Sequence, residues 1–396
     1  MKIDLLSPSS FASGHPHAQY RWLREHAPVY WHEEPGGPGF WAVTRFEDVR
    51  AMGRDPETFS SEPTIMIADP AGGAMTIADH KMMLMMDPPQ HTAFRRLISR
   101  EFTQAPAAAL RPRVEALARQ IVDRVIDRGE CDFVADIAGE MPSYVIAELM
   151  GIPLDDGRKL YQLTETIHSA AEAVPDGAQA AAVMEMFTYA HGVIQEKRAR
   201  PANDLSSKLL AAEVDGRKLD DIDFQLFFLL LVDAGGDTTR NLVAAGLLAL
   251  LDHPDEFARL RADLDALLPS ARDELLRWVS PVIYMRRTAR RDTAIAGQAI
   301  KAGDKVVRYF GAANFDERAF ADPYRLDLSR NPNPHIAFGA GAHVCLGQHI
   351  ARVEIDALLR EVMRRMDAIE LAEQPEWLPS NFISGPKRMP IRFRAA

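Results

Sequence analysis

The chain has 396 residues, 47% of them hydrophobic, 26% charged and 8% aromatic, with a formal net charge of −10. This composition excludes disordered, collagen-like and low-complexity folds, and 46 Lys+Arg against 56 Asp+Glu argues against a general nucleic-acid binder. At this length folding buries roughly three quarters of the unfolded surface, enough to enclose a large cofactor. No repeat and no Pro/Gly/Ser-rich linker divides the chain, so one domain over residues 1–396 is expected. Two cysteines, Cys131 and Cys345, give no disulfide framework and fit a reducing compartment. The start, MKIDLLSPSSF, lacks the pattern of a secretory leader. The longest apolar stretch, residues 242–251 with Gly246 counted in, is short of the about 20 residues a membrane span needs. A cytoplasmic, monomeric protein is expected.

Along the chain, residues 29–46 alternate around PGGPG and read as a hairpin. Residues 64–86 are rich in small residues and methionine: Met66, Met75, Met82, Met83, Met85 and Met86. Such a cluster is either core filling or a deformable apolar wall for a bulky ligand. Asp87-Pro88-Pro89 begins a helix. Helical apolar spacing then recurs over 112–128, 136–150, 155–174, 178–199, 220–251, 254–267 and 270–279, with the long helix interrupted at DAGGDTTR. After Pro281 short strands follow, at 293–297 and 305–314. A loop over 332–343, an amphipathic helix over 348–366 and terminal strands and turns complete the pattern.

The strongest local signal is FGAGAHVCLGQHIAR, residues 338–352. Gly339, Gly341 and Gly347 surround a cysteine directly ahead of a helix, as where backbone passes close to something flat or bulky. A cysteine at a helix N-terminus is held as thiolate by the dipole and free amides. No second cysteine lies nearby, so a tetrahedral zinc site is disfavoured. A Cys–His hydrolase would need a His placed as base, and His343 and His349 are near only in sequence. The residues alone leave haem-thiolate ligation, a reactive thiol and a structural loop open. Cys131 reads as a small buried hydrophobe.

The pattern Phe338-Gly339-x-Gly341-x-His343-x-Cys345-x-Gly347, followed by Ala351, resembles the haem-binding signature of the cytochromes P-450. The resemblance runs from about residue 20 to the end. It implies a mainly α, triangular cytochrome P-450 fold with a small strand-rich lobe, and haem b (iron protoporphyrin IX) with Cys345 as the metal ligand. Phe338 would pack near the thiolate, Gly341 and Gly347 would let amides approach the sulfur and the ring, and Gly339 would also border the cofactor.

Further motifs occur in family order. In Ala234-Gly235-Gly236-Asp237-Thr238-Thr239, two glycines within an apolar helix each cost about 1 kcal/mol relative to alanine. They mark either close helix packing or a ligand touching backbone. The string is similar to the family's oxygen-binding groove, with Ala234 against the cofactor and Asp237 and Thr238 as the catalytic acid–alcohol pair that relays protons. Glu274-x-x-Arg277 alone reads as a surface ion pair. In the family it is buried and joined by a second arginine, expected here to be Arg325. His91 and Arg95, on one helical face, match propionate contacts, as do Arg287 and His343; Arg286 leaves room for a one-residue slip. Val282 and Ile283 are expected in the substrate pocket. Asp233 stands where an apolar side chain is usual. It either pairs with a neighbouring helix, anchors a polar substrate group or forms a second proton path.

The implied function is hydroxylation of a bulky lipophilic small molecule of the sterol, branched fatty acid or terpenoid class, using dioxygen and two electrons. With no flavin domain, the electrons would come from a [2Fe-2S] or similar ferredoxin with its reductase. It would dock on a basic patch of Arg95, Arg96, Arg100, Arg352 and Arg360. A peroxide-driven peroxygenase and a haem-binding sensor or carrier without turnover are the alternatives; intact Asp237 and Thr238 favour the reductive enzyme.

Overall fold

The alternation of residues 29–43 folds as a hairpin, Val29–His32 pairing antiparallel with Phe40–Val43. Its second strand pairs in parallel with Lys305–Tyr309, which pairs antiparallel with Tyr284–Ala289, and Phe59–Ser60 closes a five-stranded sheet. Alternate residues face opposite sides of a strand. Val43 and Val306 therefore join one apolar cluster, while Ala42, Val307 and Tyr309 join another, and the sheet is buried on both faces. The computed structural model describes residues 1–69, 76–77, 80–168 and 174–396, so Met75 lies outside the described residues.

The rest is mainly helical: α1 (His17–His26), α2 (Phe46–Arg54), α3 (Gln90–Ile98), α4 (Gln104–Asp123), α5 (Glu140–Met150), α6 (Leu154–His168), α7 (Ala178–Ala199), α8 (Leu205–Ala211), α9 (Asp221–Asp252), α10 (Pro254–Ala262), α11 (Leu264–Val279), the single turn α12 (Phe310–Ala313) and α13 (Gln348–Arg365). Most sequence segments recur with shifted ends. Pro112 lies inside α4 rather than at its start, because the alanine-rich QAPAAAL ahead of it is also helical.

Helix α9 is the axis of the molecule. It is apolar nearly all round, as a helix surrounded by others must be, and it packs against α5, α6, α7, α11 and α13. Asp220 and Asp223 cap its start reciprocally. Contrary to expectation it runs unbroken through residues 233–240. The glycines there serve packing and space rather than interruption. A Cβ on Gly236 would meet Tyr161 of α6 at 3.0 Å, whereas one on Gly235 would find only Ile146, at 3.9 Å. Among the described residues no helix is long and apolar enough to cross a membrane.

Glu274 and Arg277, one turn apart on α11, are each 0% exposed and joined by two 2.8 Å hydrogen bonds. The second arginine is not Arg325, which is exposed, but Arg330, whose Nε donates to both Glu274 oxygens at 3.1–3.2 Å. The chain turns around the carboxylate here, and the Asp327 amide and Asn333 Nδ2 also donate to it at 3.1 Å. Arg277 Nη1 donates to the Asn314 and Pro323 carbonyls at 2.9 Å, tying the turn to the sheet region. Removing one partner of a buried charge network costs about 3–5 kcal/mol. Glu274→Ala should therefore lose haem content and stability, Arg330→Ala should be clearly destabilised, and Arg325→Ala should stay within about 0.5 kcal/mol of the parent in denaturant unfolding. Equal losses for the two arginine variants would contradict the assignment.

Candidate active site

Cys345 ends a loop that leads straight into α13. Its amide donates to the Phe338 carbonyl at 2.8 Å, which folds the loop back on itself. Burial pushes the thiol pKa up, while the Gly347 and Gln348 amides, Arg95 and Arg352 act in the opposite sense. Gly341 has φ +79°, and a Cβ there would fall 1.7 Å from the Gly53 carbonyl of α2, so only glycine fits. A Cβ on Gly347 would meet nothing within 4 Å, although the residue lines a cavity: space is left there that the protein does not use. Phe338 carries the Arg352 guanidinium 4.6 Å from its ring centre.

The cavity, about 730 Å³, lies between this loop and the middle of α9 and is lined mostly by apolar side chains. Met66, Met82, Met83 and Met85 contribute to its wall, whereas Met86 belongs to the core. Asp233, Ala234, Gly235, Asp237 and Thr238 all border it, as does Val282. Ile283 does not: it lies just ahead of the strand Tyr284–Ala289, its backbone bonded to Phe382 and Phe310, and its side chain is 0% exposed in the core beside Tyr284 and Val307.

Thr238 Oγ1 donates to the Ala234 carbonyl at 3.2 Å. The Asp237 carboxylate lies 3.3 Å from the buried Arg240 guanidinium, which also pairs with Glu165 of α6, a residue 44% exposed. Thr239 instead hydrogen-bonds Glu354 of α13, whose burial raises its carboxyl pKa to about 8. Arg240 and Glu354 were missed in the sequence because nothing local marks a charged residue in a helix as buried.

One wall is basic. The His91 and His343 rings lie 3.9 Å apart, and Ser61 Oγ is 3.1 Å from His343 Nε2. Burial first, then neighbouring cations, pushes His91 to about 4 and His343 to about 2. Arg95 donates to the Val344 carbonyl at 2.7 Å. Arg287 is buried, its pKa lowered by that burial to about 10, and its Nη1 donates to the Arg286 carbonyl at 2.8 Å. Asp87, whose charge reaches Arg287, already serves Ser60, Ser61 and Arg290. Of the two adjacent arginines, Arg287 borders the cavity, whereas Arg286 points to the other face and pairs with Asp69. Arg308, unmarked in the sequence, joins the same wall.

This set fits haem. The half-buried Cys345 borders a cavity with unused space beside Gly347, and the basic wall has hydrogen-bonding capacity left over, His91 Nδ1 and Arg308 Nε and Nη1 being buried without partners. Two propionate carboxylates would meet both the charge and the donors.

The family model for cytochrome P-450 matches residues 9–389. A methyl-branched lipid omega-hydroxylase of Mycobacterium tuberculosis is 39% identical over 94% of this chain and 89% of that protein. A steroid C26-monooxygenase of Rhodococcus jostii is 34% identical over 100% of this chain and 85% of its own length. Among solved structures, a Mycobacterium marinum cytochrome P-450 in complex with pseudoionone superposes with TM-score 0.91 at 36% identity, covering 99% of both chains. The chain belongs to the cytochrome P-450 family. It is a haem b monooxygenase, an oxidoreductase whose relatives hydroxylate methyl-branched lipids and steroids.

The expected basic docking patch is reduced. Arg95 turns inward, Arg352 pairs with Asp273, and Arg360 pairs with Asp265. Arg96 and Arg100 are exposed and carry no ion pair among the described residues.

Glu354 yields a pH test. An unfolded-state glutamate titrates near 4.5, whereas this one, folded, holds its proton to about 8. Between those values the folded state binds more protons, so this group's contribution to stability is lost as pH rises through them. Glu354→Gln should flatten the fall in melting temperature over that window; an unchanged slope would mean the carboxyl is ionised.

Proposed function

We propose that this monooxygenase hydroxylates a bulky lipophilic substrate of the methyl-branched lipid or steroid class, as a cytoplasmic monomer that takes electrons from a ferredoxin and its reductase. The observation that carries the proposal is the large, mostly apolar cavity bounded on one side by Cys345 and on the other by Asp237 and Thr238. Its volume, about 730 Å³, must hold cofactor and substrate together. The activities for which two relatives are named, omega-hydroxylation of a methyl-branched lipid and C26 oxidation of a steroid, support an elongated apolar substrate.

Haem, when bound, supplies the activation of dioxygen by electrons and protons and the transfer of one oxygen atom to a C–H bond. The residues do the remainder. Cys345 would offer its sulfur to the iron. His91, Arg95, Arg287 and His343 would hold the propionates, and Ala234, Phe338, Gly339 and Gly347 would leave the ring its room. Thr238 presents a hydroxyl at the cavity, and Asp237, held by Arg240, stands next to it on α9. Glu165, on the far side of Arg240, is half exposed, so a polar path leads from solvent to the acid. The methionine and leucine wall excludes water from the rest of the cavity. Asp233 borders the same space and would receive a polar group of the substrate. The intact Asp237–Thr238 pair favours the reductive route over a peroxide-driven one.

The test is turnover of a methyl-branched fatty acid and a steroid by the holoenzyme with ferredoxin, reductase and nicotinamide cofactor. A hydroxylated product is expected from the parent. Thr238→Ala should bind the same substrate yet release most reducing equivalents as hydrogen peroxide. Asp237→Asn should lower the rate instead, because the relay loses its acid; such proton-transfer roles are worth roughly 10²–10⁴-fold. Unchanged rate and coupling in both variants would remove the pair from the mechanism, and no product with either substrate would reject the substrate class.

A further inference from the structure

Arg308 occupies the fourth position of the strand Lys305–Tyr309. In the register of this sheet Val306 stands opposite Arg287 and Arg308 opposite Met285. Arg308 and Arg287 are therefore diagonal neighbours on the same face of adjacent strands. Both border the cavity.

The other cations on and just beyond these strands are neutralised. Arg286 pairs with Asp69, Lys305 with Glu34 and Asp69, and Arg290, just after the strand Tyr284–Ala289 ends, with Asp87. Arg308 differs. It is 2% exposed, its Nε and Nη1 have no hydrogen-bond partner, and no carboxylate pairs with it among the described residues. Burial, and then the charge of Arg287, lower its pKa well below the usual value. An arginine does not give up its proton in a protein, and an isolated buried charge is costly. The fold nevertheless makes room for it: a Cβ on Gly53 of α2 would lie 2.6 Å from Arg308 Nη1. A guanidinium given space and no anion is built for a ligand that brings one.

We propose that Arg308 is a further haem-propionate-binding residue, and that Arg287 and Arg308 together balance the two carboxylates of the cofactor. This adds a fifth residue to His91, Arg95, Arg287 and His343. It rests on the family's haem and not on the proposed substrate, and its test needs no substrate. The rival ligand for the same guanidinium is the carboxylate of a fatty-acid substrate.

The experiment compares haem transfer from the holoprotein to apomyoglobin, and the ferric/ferrous midpoint potential, in the parent, Arg308→Met and Arg308→Lys. Loss of a charge-assisted hydrogen bond corresponds to roughly 10- to 100-fold weaker retention. Arg308→Met should lose haem faster by that order, and its potential should fall, because a positive charge beside the cofactor has gone. Arg308→Lys, which restores the charge without the planar fork, should keep most of the potential and part of the retention. Should the Met variant hold no haem at all, the Lys variant is expected to recover it. A Lys variant that recovers none would make Arg308 a packing element and overturn the assignment. Parent-like haem transfer and potential in Arg308→Met would also overturn it. If the Met variant then bound dodecanoate more weakly, with dodecanol unaffected, the guanidinium would pass to the substrate carboxylate.

Discussion

A cysteine sulfur has to be held in the interior at the first turn of a helix, and much of the molecule follows from that requirement. A buried thiolate is unfavourable unless amides and cations surround it. The loop before α13 supplies the amides, and its tight turn against α2 is open only to glycine at position 341. Arg95 and Arg352 supply the positive charge. The loop is in turn anchored from behind by Glu274, Arg277 and Arg330, which join α11 to the turn that leads into it. The same architecture that holds the sulfur places the middle of α9 across the cavity from it, with the acid and the hydroxyl on that stretch.

The second organising feature is charge without counter-charge. The surface of this acidic chain is laced with ordinary ion pairs, yet the wall beside the cavity gathers the cations Arg95, Arg287 and Arg308, with the neutral rings of His91 and His343 among them. Such a wall penalises the protein on its own and stabilises the complex with a dianionic cofactor. With the cofactor's carboxylates seated there, the desolvation penalty would be relieved and cofactor binding coupled to folding.

Much of this was legible in the sequence. The Cys345 loop, the Asp237–Thr238 pair and the Glu274–Arg277 pair are short-range patterns whose spacing survives any detail of packing. What was not legible depended on long-range geometry. Arg325 and Arg330 lie in one turn, and only the path of the chain around Glu274 selects Arg330. Ile283 and Val282 are adjacent, but the backbone bonds of Ile283 to Phe382 and Phe310, distant in sequence, set one in the core and the other at the cavity. The glycines of α9 looked like a break, and the neighbours of the helix override that local cost. Arg308 sits in KVVRY, where a lone arginine usually marks the solvent side. Here helix α2 covers that side, so the charge faces inward. The basic patch is smaller than expected for the opposite reason: a row of arginines in sequence says nothing of the acids that fold beside Arg352 and Arg360.

The account turns on Cys345 as the thiolate that meets the iron. The direct measurement is the absorption spectrum of the dithionite-reduced protein under carbon monoxide, in the parent and in Cys345→Ser. The parent should show the strongly red-shifted Soret band of a haem held by thiolate, and the variant, if it retains haem, should lack it. A variant that keeps the red-shifted band would show that another residue ligates the iron, and the reading of the site would fall with it.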